Sequence, residues 1–225
     1  MNYTHPKRKT KVVFVQLGSP SEPTPKALRK YLRKFLGDPR VIDINPWLWK
    51  IILNCFVLPF RPQKSAKLYA RIWDGKSFPL ITNTRDFTKN VSDELKKIDP
   101  EGFVEVNHAF LLSPPYVNEV YDSWEEDLKR GVGATKLLVI PMFPQYSEST
   151  IASGIDALAK ELSKRVKIPT FEVITNFHRT HAFIDNSVEQ VDTKLKELNI
   201  QGKKIDSLII TFHGMQKRRI VNKGD

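Results

Sequence analysis

The residue best placed to do chemistry in this sequence is His213. It closes an apolar, β-branched run, Asp206-Ser-Leu-Ile-Ile-Thr-Phe-His213-Gly214. A strand is expected over 207–212, and open α/β folds set their ligand sites at the carboxyl edge of such strands. An imidazole there can accept a proton, bind a metal ion, or be merely satisfied by hydrogen bonds, and the residue alone leaves all three open. The other histidines say less. His178 and His181 stand i, i+3 without a third ligand and read as surface or capping groups; His108 lies on a predicted strand with no visible partner, and His5 in the N-terminal tail. Cys55 is the single cysteine, which excludes an internal disulfide and a cysteine-built zinc or iron–sulfur site held by this chain alone. Its apolar neighbours point to packing rather than to a reactive thiol.

Three further segments carry potential chemistry. Gln16-Leu-Gly-Ser-Pro20 is a strand-to-helix turn that either binds an anion through backbone N–H groups or is an ordinary tight turn; it has no GxGxxG fingerprint and no P-loop lysine. The stretch 45–61 is too short to cross a bilayer and too apolar for a surface loop. Tryptophans 47 and 49 open it, and Arg61 and Lys64 follow, which suits an interfacial helix or the lip of a ligand site as well as a buried core helix. Pro141-Met-Phe-Pro-Gln-Tyr-Ser-Glu-Ser-Thr150 follows the strongest predicted strand and is dense in hydroxyl and amide groups, fit to orient a polar ligand or to cap the next helix.

Elements that could position these groups alternate along the chain. Strands are expected at 12–17, 104–111, 136–142, 170–175 and 207–212. Helices are expected at 25–36, 65–73, 84–98, 117–130, 154–166 and 182–198. Thr24 and Pro25 mark the first helix start, and Gly131 and Gly133 end the 117–130 helix. The alternation predicts an α/β protein with parallel sheets. The expected organisation is a basic tail over 1–10, a first α/β domain over 11–133 and part of a second over 134–225, with a join near 131–135.

Composition narrows the function classes. Hydrophobic residues make up 40% of 225, enough for a core, while a mean hydropathy of -0.36 and the absence of a ~20-residue apolar stretch argue against an integral membrane protein. The N-terminus is basic but lacks the apolar core of a signal peptide, so a cytoplasmic location is expected. The net charge of +11 fits a solvated basic surface or an acidic partner: nucleic acid, anionic lipid or a carboxylate-bearing small molecule. No helix-turn-helix, zinc finger or aromatic RNA-binding motif is visible.

Taken together, the chain resembles the ferrochelatase family, whose members insert ferrous iron into a porphyrin to make haem. The resemblance rests on Gln16-Leu-Gly-Ser-Pro20, Phe35-Leu-Gly-Asp-Pro-Arg-Val41, Leu58-Pro-Phe-Arg-Pro62 with Ser65-Ala66 and Tyr69, Ile72-Trp73, Pro144-Gln-Tyr-Ser-Glu-Ser-Thr150, and Phe212-His-Gly214 with Lys223-Gly-Asp225. It implies two Rossmann-like, chelatase-type parallel-sheet domains, the second incomplete here, with porphyrin in the cleft between them. It implies substrate contacts from Leu17, Gly18, Trp47, Ile52, Phe56, Gln145, Tyr146, Ser147, Ser149 and Thr150. It gives His213 the family's catalytic role, taking pyrrole protons or holding iron. No resident cofactor is implied, since Fe²⁺ is a substrate, and protoporphyrin is favoured over coproporphyrin.

The resemblance further implies peripheral contact with the inner face of the membrane through the 45–61 lip, and no nucleic-acid partner. It also implies a glutamate opposite the histidine in a part beyond Asp225. A chain ending there is therefore expected to be a weak or inactive catalyst alone, able to self-associate through its last strand. Many relatives carry an Arg-Tyr pair where Phe110-Leu111 stand here, which alters that wall of the porphyrin site. A non-catalytic porphyrin- or haem-binding relative is the second reading, and a basic nucleic-acid-binding α/β protein a distant third.

Overall fold

A computed structural model describes residues 9–131 and 134–223. The first eight residues of the expected tail, His5 among them, Gly133 and the pair Gly224-Asp225 lie outside the described residues.

The first strand, β1 (Thr10–Gln16), is the centre of the sheet. Its sequence, TKVVFVQ, is apolar on both faces, as a strand covered on both sides must be. β2 (Val104–Phe110) pairs with it on one side and β3 (Lys136–Pro141) on the other, with Val12 opposite Val106 and Leu138. β4 (Thr170–Val173) pairs with β3, so the order is β2-β1-β3-β4 and every pairing is parallel. Parallel neighbours need crossovers, and the helices supply them. Between β1 and β2 run α1 (Pro25–Leu36), α2 (Pro46–Ile52), a π turn (Leu53–Val57), α3 (Leu58–Tyr69), a 3-10 turn (Ala70–Ile72) and α4 (Pro79–Ile98). α5 (Val117–Lys129) joins β2 to β3. A π turn (Glu148–Ala152) and α6 (Ser153–Leu162) join β3 to β4. α7 (His181–Ile200) and α8 (Lys217–Lys223) follow.

Helix α1 starts and stops where the sequence indicates. Thr24 Oγ1 accepts from Ala27 N at 3.3 Å, Pro25 stands at the first helical position, and Gly37 N donates to Arg33 O at 3.1 Å. Of its buried residues, Tyr31, Leu32 and Leu36 pack on Leu53 and Leu58. On the sheet face toward α5 and α6, Val13, Val15 and Val139 meet Tyr121, Trp124 and Leu158. Lys11 is buried within β1 and reaches Glu105 at 3.3 Å and Asp127 at 3.7 Å, the pairing that a buried cation requires.

Two expectations are corrected here. The join near 131–135 does not separate two sheets: β3 and β4 lie beyond it and complete the sheet that β1 begins. The described residues instead form two compact units. One holds the chain up to Phe143 with Glu148–Thr175, and the other holds Pro144–Ser147 with the chain from Asn176 onward. The strand expected over 207–212 does not form either. Residues 203–216 run without ladder hydrogen bonds, and Leu208, Ile209, Ile210 and Phe212 are exposed. β-Branched composition favours extended backbone, but a strand exists only against a neighbour, and among the described residues none pairs with this one.

His108 on β2 gives the fold a pH signature. Burial, and then the positive charge of Arg85, hold its pKa below the ordinary value. The unfolded chain therefore binds the proton more readily, and this residue's contribution to stability falls as pH drops below about 6.5. Denaturant midpoints taken at about pH 5.5 and 7.5 should rise with pH, and His108→Gln should flatten that slope. An unchanged slope in the variant would contradict the assignment.

Candidate functional site

Turns leaving the carboxyl ends of β1 and β2 are bound to each other. Leu111 N donates to Gln16 O and Leu112 N to Leu17 O, both at 3.0 Å. Together with the α1–α2 connection they border a cleft of about 310 Å³. Its apolar walls come from Leu17, Phe35, Val41, Leu111, Leu112 and Ala157, and its polar rim from Asp38, Ser153, Asp156 and Lys160. A second cleft of about 280 Å³ shares Asp38 and Pro39 with the first and is bounded by Ile42, Trp49 and Leu53. A crevice at the carboxyl edge of a parallel sheet is where this architecture places ligands. Leu111 and Leu112 make its β2 wall apolar.

The segment Gly37-Asp-Pro-Arg40 is held in place by contacts that span more than a hundred residues. Ser153 Oγ donates to Asp38 Oδ2, and Asp38 Oδ1 accepts from Arg40 N at 2.8 Å. The Arg40 guanidinium grips Asp156 with two hydrogen bonds, 2.7 and 3.0 Å, and lies 3.8 Å from Glu148. A bidentate fork fixes orientation as well as distance. The α1–α2 connection is thereby tied to the start of α6, and Asp38 and Asp156 are both engaged at the cleft rim.

Gly18 answers the question left open for the Gln16–Pro20 turn. Its φ is +91°, and a Cβ there would collide with Ser113 Oγ and touch Phe110 Cβ. Ser19 N, the N–H that an anion would need, donates to Ser113 Oγ at 3.3 Å, and the buried Tyr31 hydroxyl donates to Gly18 O at 3.4 Å. The turn is a packed corner that presents Leu17 to the cleft. Gly18→Ala should cost about 2–3 kcal/mol, the sum of backbone strain and a steric clash. Gly75, with φ +95° and open space around its Cα, isolates the backbone part, so Gly75→Ala should cost about 1 kcal/mol. Equal losses in thermal melts of the two variants would contradict the clash.

The stretch 45–61 is neither wholly buried nor wholly exposed. Asn45 Oδ1 caps α2 by accepting from Trp47 N and Leu48 N, and Trp49 Nε1 donates to Leu36 O at 2.6 Å, anchoring the segment to α1. Leu53 and Leu58 are buried against α1. Trp47 is 78% exposed and Phe56 65%, and Ile51 and Phe60 share that outer surface. Ile52 is half-buried. Cys55 is exposed, which corrects the packing role expected for it: it stands in a π turn whose buried residue is Leu53. Leu17 therefore stands in the cleft wall, while Trp47 and Phe56 are displayed outward and do not line it. Ser149 and Thr150 lie half-buried in the π turn that leads into α6.

In the second unit, the loop 144–147 meets the histidine segment. Phe177 N and His178 N both donate to Pro144 O at 3.0 Å, and Ser147 Oγ lies 3.9 Å from Met215 Sδ, two residues after His213. Gln145, Tyr146 and His213 are exposed. Two segments about seventy residues apart in sequence are thus neighbours in space, although the strand expected to present His213 is not formed. Among the described residues no three His, Cys, Asp or Glu side chains gather into a metal-binding set. Sequence reasoning missed Asp38 and Arg40, which clasp the cleft rim, and Lys160, which borders the cleft. The first two stood inside a quoted motif, but their partners lie too far along the chain to be read from spacing.

Comparison with known proteins gives the family. A family model described as ferrochelatase matches residues 9–225. A ferrochelatase of Idiomarina loihiensis is 37% identical over 94% of this chain and 55% of its own length. A coproporphyrin III ferrochelatase of Streptococcus mutans is 35% identical over 97% of this chain and 63% of its own. A ferrochelatase of Marinobacter nauticus is 34% identical over 95% and 55%. The chain thus spans between 55% and 63% of the length of these relatives. With both the family model and the relatives covering nearly all of its residues, the chain belongs to the ferrochelatase family.

Proposed function

We propose that the chain binds a porphyrin along the Leu17–Leu111–Leu112 wall and serves the insertion of ferrous iron into it, with His213 as the residue that takes pyrrole protons or holds the iron. The observation that carries this reading is the cleft: its apolar wall is assembled by two turns at the carboxyl edge of the sheet, one of them a motif shared with the family. A flat, largely apolar macrocycle fits such a surface. Binding energy along a rigid wall can be used to bend the ring toward the geometry in which its nitrogens face a metal. The reaction consumes Fe²⁺ and releases two pyrrole protons. An imidazole can accept one of these protons or hold the incoming ion through the same lone pair. Gln145, Tyr146 and Ser147 are the polar groups of the loop whose Ser147 meets Met215, two residues after His213. Ser149 and Thr150 stand in the π turn that leads into α6, and Fe²⁺ is substrate rather than a resident cofactor.

The outer surface of 45–61 supports a peripheral membrane contact. Trp47, Ile51, Phe56 and Phe60 are exposed beside Lys50, Arg61 and Lys64, the composition of a helix that lies in an interface. Among the described residues no helix is long and apolar enough to cross a membrane. The reading these features support is a protein of the cytoplasm that touches the inner face of the membrane through this surface. The exposed run 208–212 supports association with another chain.

Anaerobic Fe²⁺ insertion, or Zn²⁺ insertion in air, followed through the porphyrin absorbance bands, tests the activity. Metalloporphyrin formation faster than the protein-free rate is expected. Porphyrin binding without any acceleration would move the protein to the second reading, a non-catalytic porphyrin or haem binder. Neither binding nor acceleration would refute both.

A further inference from the structure

We infer that Lys160 is a specificity-determining residue of the cleft, anchoring a carboxylate of the ligand. This inference rests on the porphyrin reading above. Lys160 borders the cleft near the C-terminal end of α6 and is exposed. A lysine four residues after an aspartate on a helix ordinarily pairs with it, and Asp156 occupies that position. Here the pair is not made, because both Asp156 oxygens are held by Arg40, at 2.7 and 3.0 Å. A bidentate guanidinium outcompetes a single ammonium for the same carboxylate. The other acid of the rim, Asp38, is taken by Ser153 and Arg40 N. The Lys160 ammonium is left with no hydrogen bond or ion pair among the described residues, whereas the two acids beside it are engaged.

The consequence for recognition is a division of labour. Apolar ring edges lie on Leu17, Leu111 and Leu112, and a substituent carboxylate reaching the rim meets the uncompensated Lys160 ammonium. Arg40 cannot serve in its place without giving up Asp156. Lysine suits the role because its flexible stem carries a point charge that accepts a carboxylate over a range of angles. A porphyrin whose carboxylates are masked gains the wall contacts but nothing from Lys160.

The test is a set of equilibrium titrations with deuteroporphyrin IX and with its dimethyl ester, in one detergent-containing buffer. The proteins are the unsubstituted chain, Lys160→Met and Lys160→Arg. Loss of one charge-assisted contact at an open rim should weaken deuteroporphyrin about 5- to 10-fold in Lys160→Met. Ester binding should be unchanged, and Lys160→Arg should restore most of the loss. Raising the salt to about 0.5 M should shrink the advantage of the diacid in the unsubstituted chain and not in Lys160→Met. Equal effects on diacid and ester, or no effect on either while both bind, would overturn the role of Lys160 and leave the porphyrin reading standing. If neither probe binds the unsubstituted chain, the porphyrin reading and this inference fail together.

Discussion

His213→Ala is expected to slow metal insertion by about 100- to 10,000-fold against an otherwise identical protein of the same length, with porphyrin affinity preserved. Two pyrrole protons must leave as iron enters, and a positioned acid–base group typically contributes a factor of that size. Under the proposed function this histidine serves that step, and the loop 144–147 lies beside its segment through the Ser147–Met215 contact. His213 is exposed and carries no packing burden, so its replacement should leave the melting temperature unchanged. The measurement is single-turnover Fe²⁺ insertion under anaerobic conditions, with porphyrin Kd measured separately. A rate within about threefold of the unsubstituted protein would remove His213 from the chemistry.

Trp124→Ala is expected to lower stability by about 3–5 kcal/mol, a drop of about 6–20 °C in Tm. Trp124 is 4% exposed, its Nε1 donates to Ala134 O at 2.7 Å, and its ring meets Tyr121 edge-on at 5.1 Å. The substitution opens a cavity under β1 and β3, and it leaves the Ala134 carbonyl without that donor. Trp124→Phe keeps most of the volume and should cost about 1–2 kcal/mol, chiefly the hydrogen bond. Thermal melts followed by circular dichroism distinguish the two. A shift below about 3 °C for the alanine variant would show that the α5 face does not hold the sheet.

Much of the fold was legible because local chemistry dictates it. Thr24, Pro25 and Gly37 fix both ends of α1, and Lys136-Leu-Leu-Val-Ile-Pro141 reads as a buried strand and is one. What could not be read is which surface each element joins. Alternating strands and helices do not say whether a strand extends an old sheet or begins a new one, so β3 and β4 were assigned to a second domain. The run 207–212 has strand composition, but a strand needs a partner that composition cannot supply. Helix α4 begins five residues before the expected start, at Pro79, because the proline reads equally as punctuation and as a first helical residue.

The site divides in the same way. Leu17 entered the reading only through the family resemblance of Gln16–Pro20, and the loop after β3 was expected near His213 through a sheet edge that the 207–212 run does not form. Trp47 and Phe56 carry the composition of a ligand lip, yet their outward display depends on the π turn and α3 packing Leu53 and Leu58 against α1. Asp38, Arg40, Ser153 and Asp156 form a clasp across 115 and 116 positions of sequence, beyond the reach of any spacing rule. The free ammonium of Lys160 follows from that clasp, since its own sequence context, Asp156 four residues earlier, suggests a pair.

The most direct test of the account is a porphyrin titration followed at the Soret band and by tryptophan fluorescence, comparing the unsubstituted chain with Leu111→Glu. The account predicts saturable one-to-one binding. It predicts at least about 30-fold weaker affinity in the variant, because an unpaired carboxylate would face the macrocycle from an apolar wall. The melting temperature should fall only slightly, as Leu111 is not fully buried. An absent Soret shift, or equal affinity in the two proteins, would contradict the claim that this cleft holds the porphyrin.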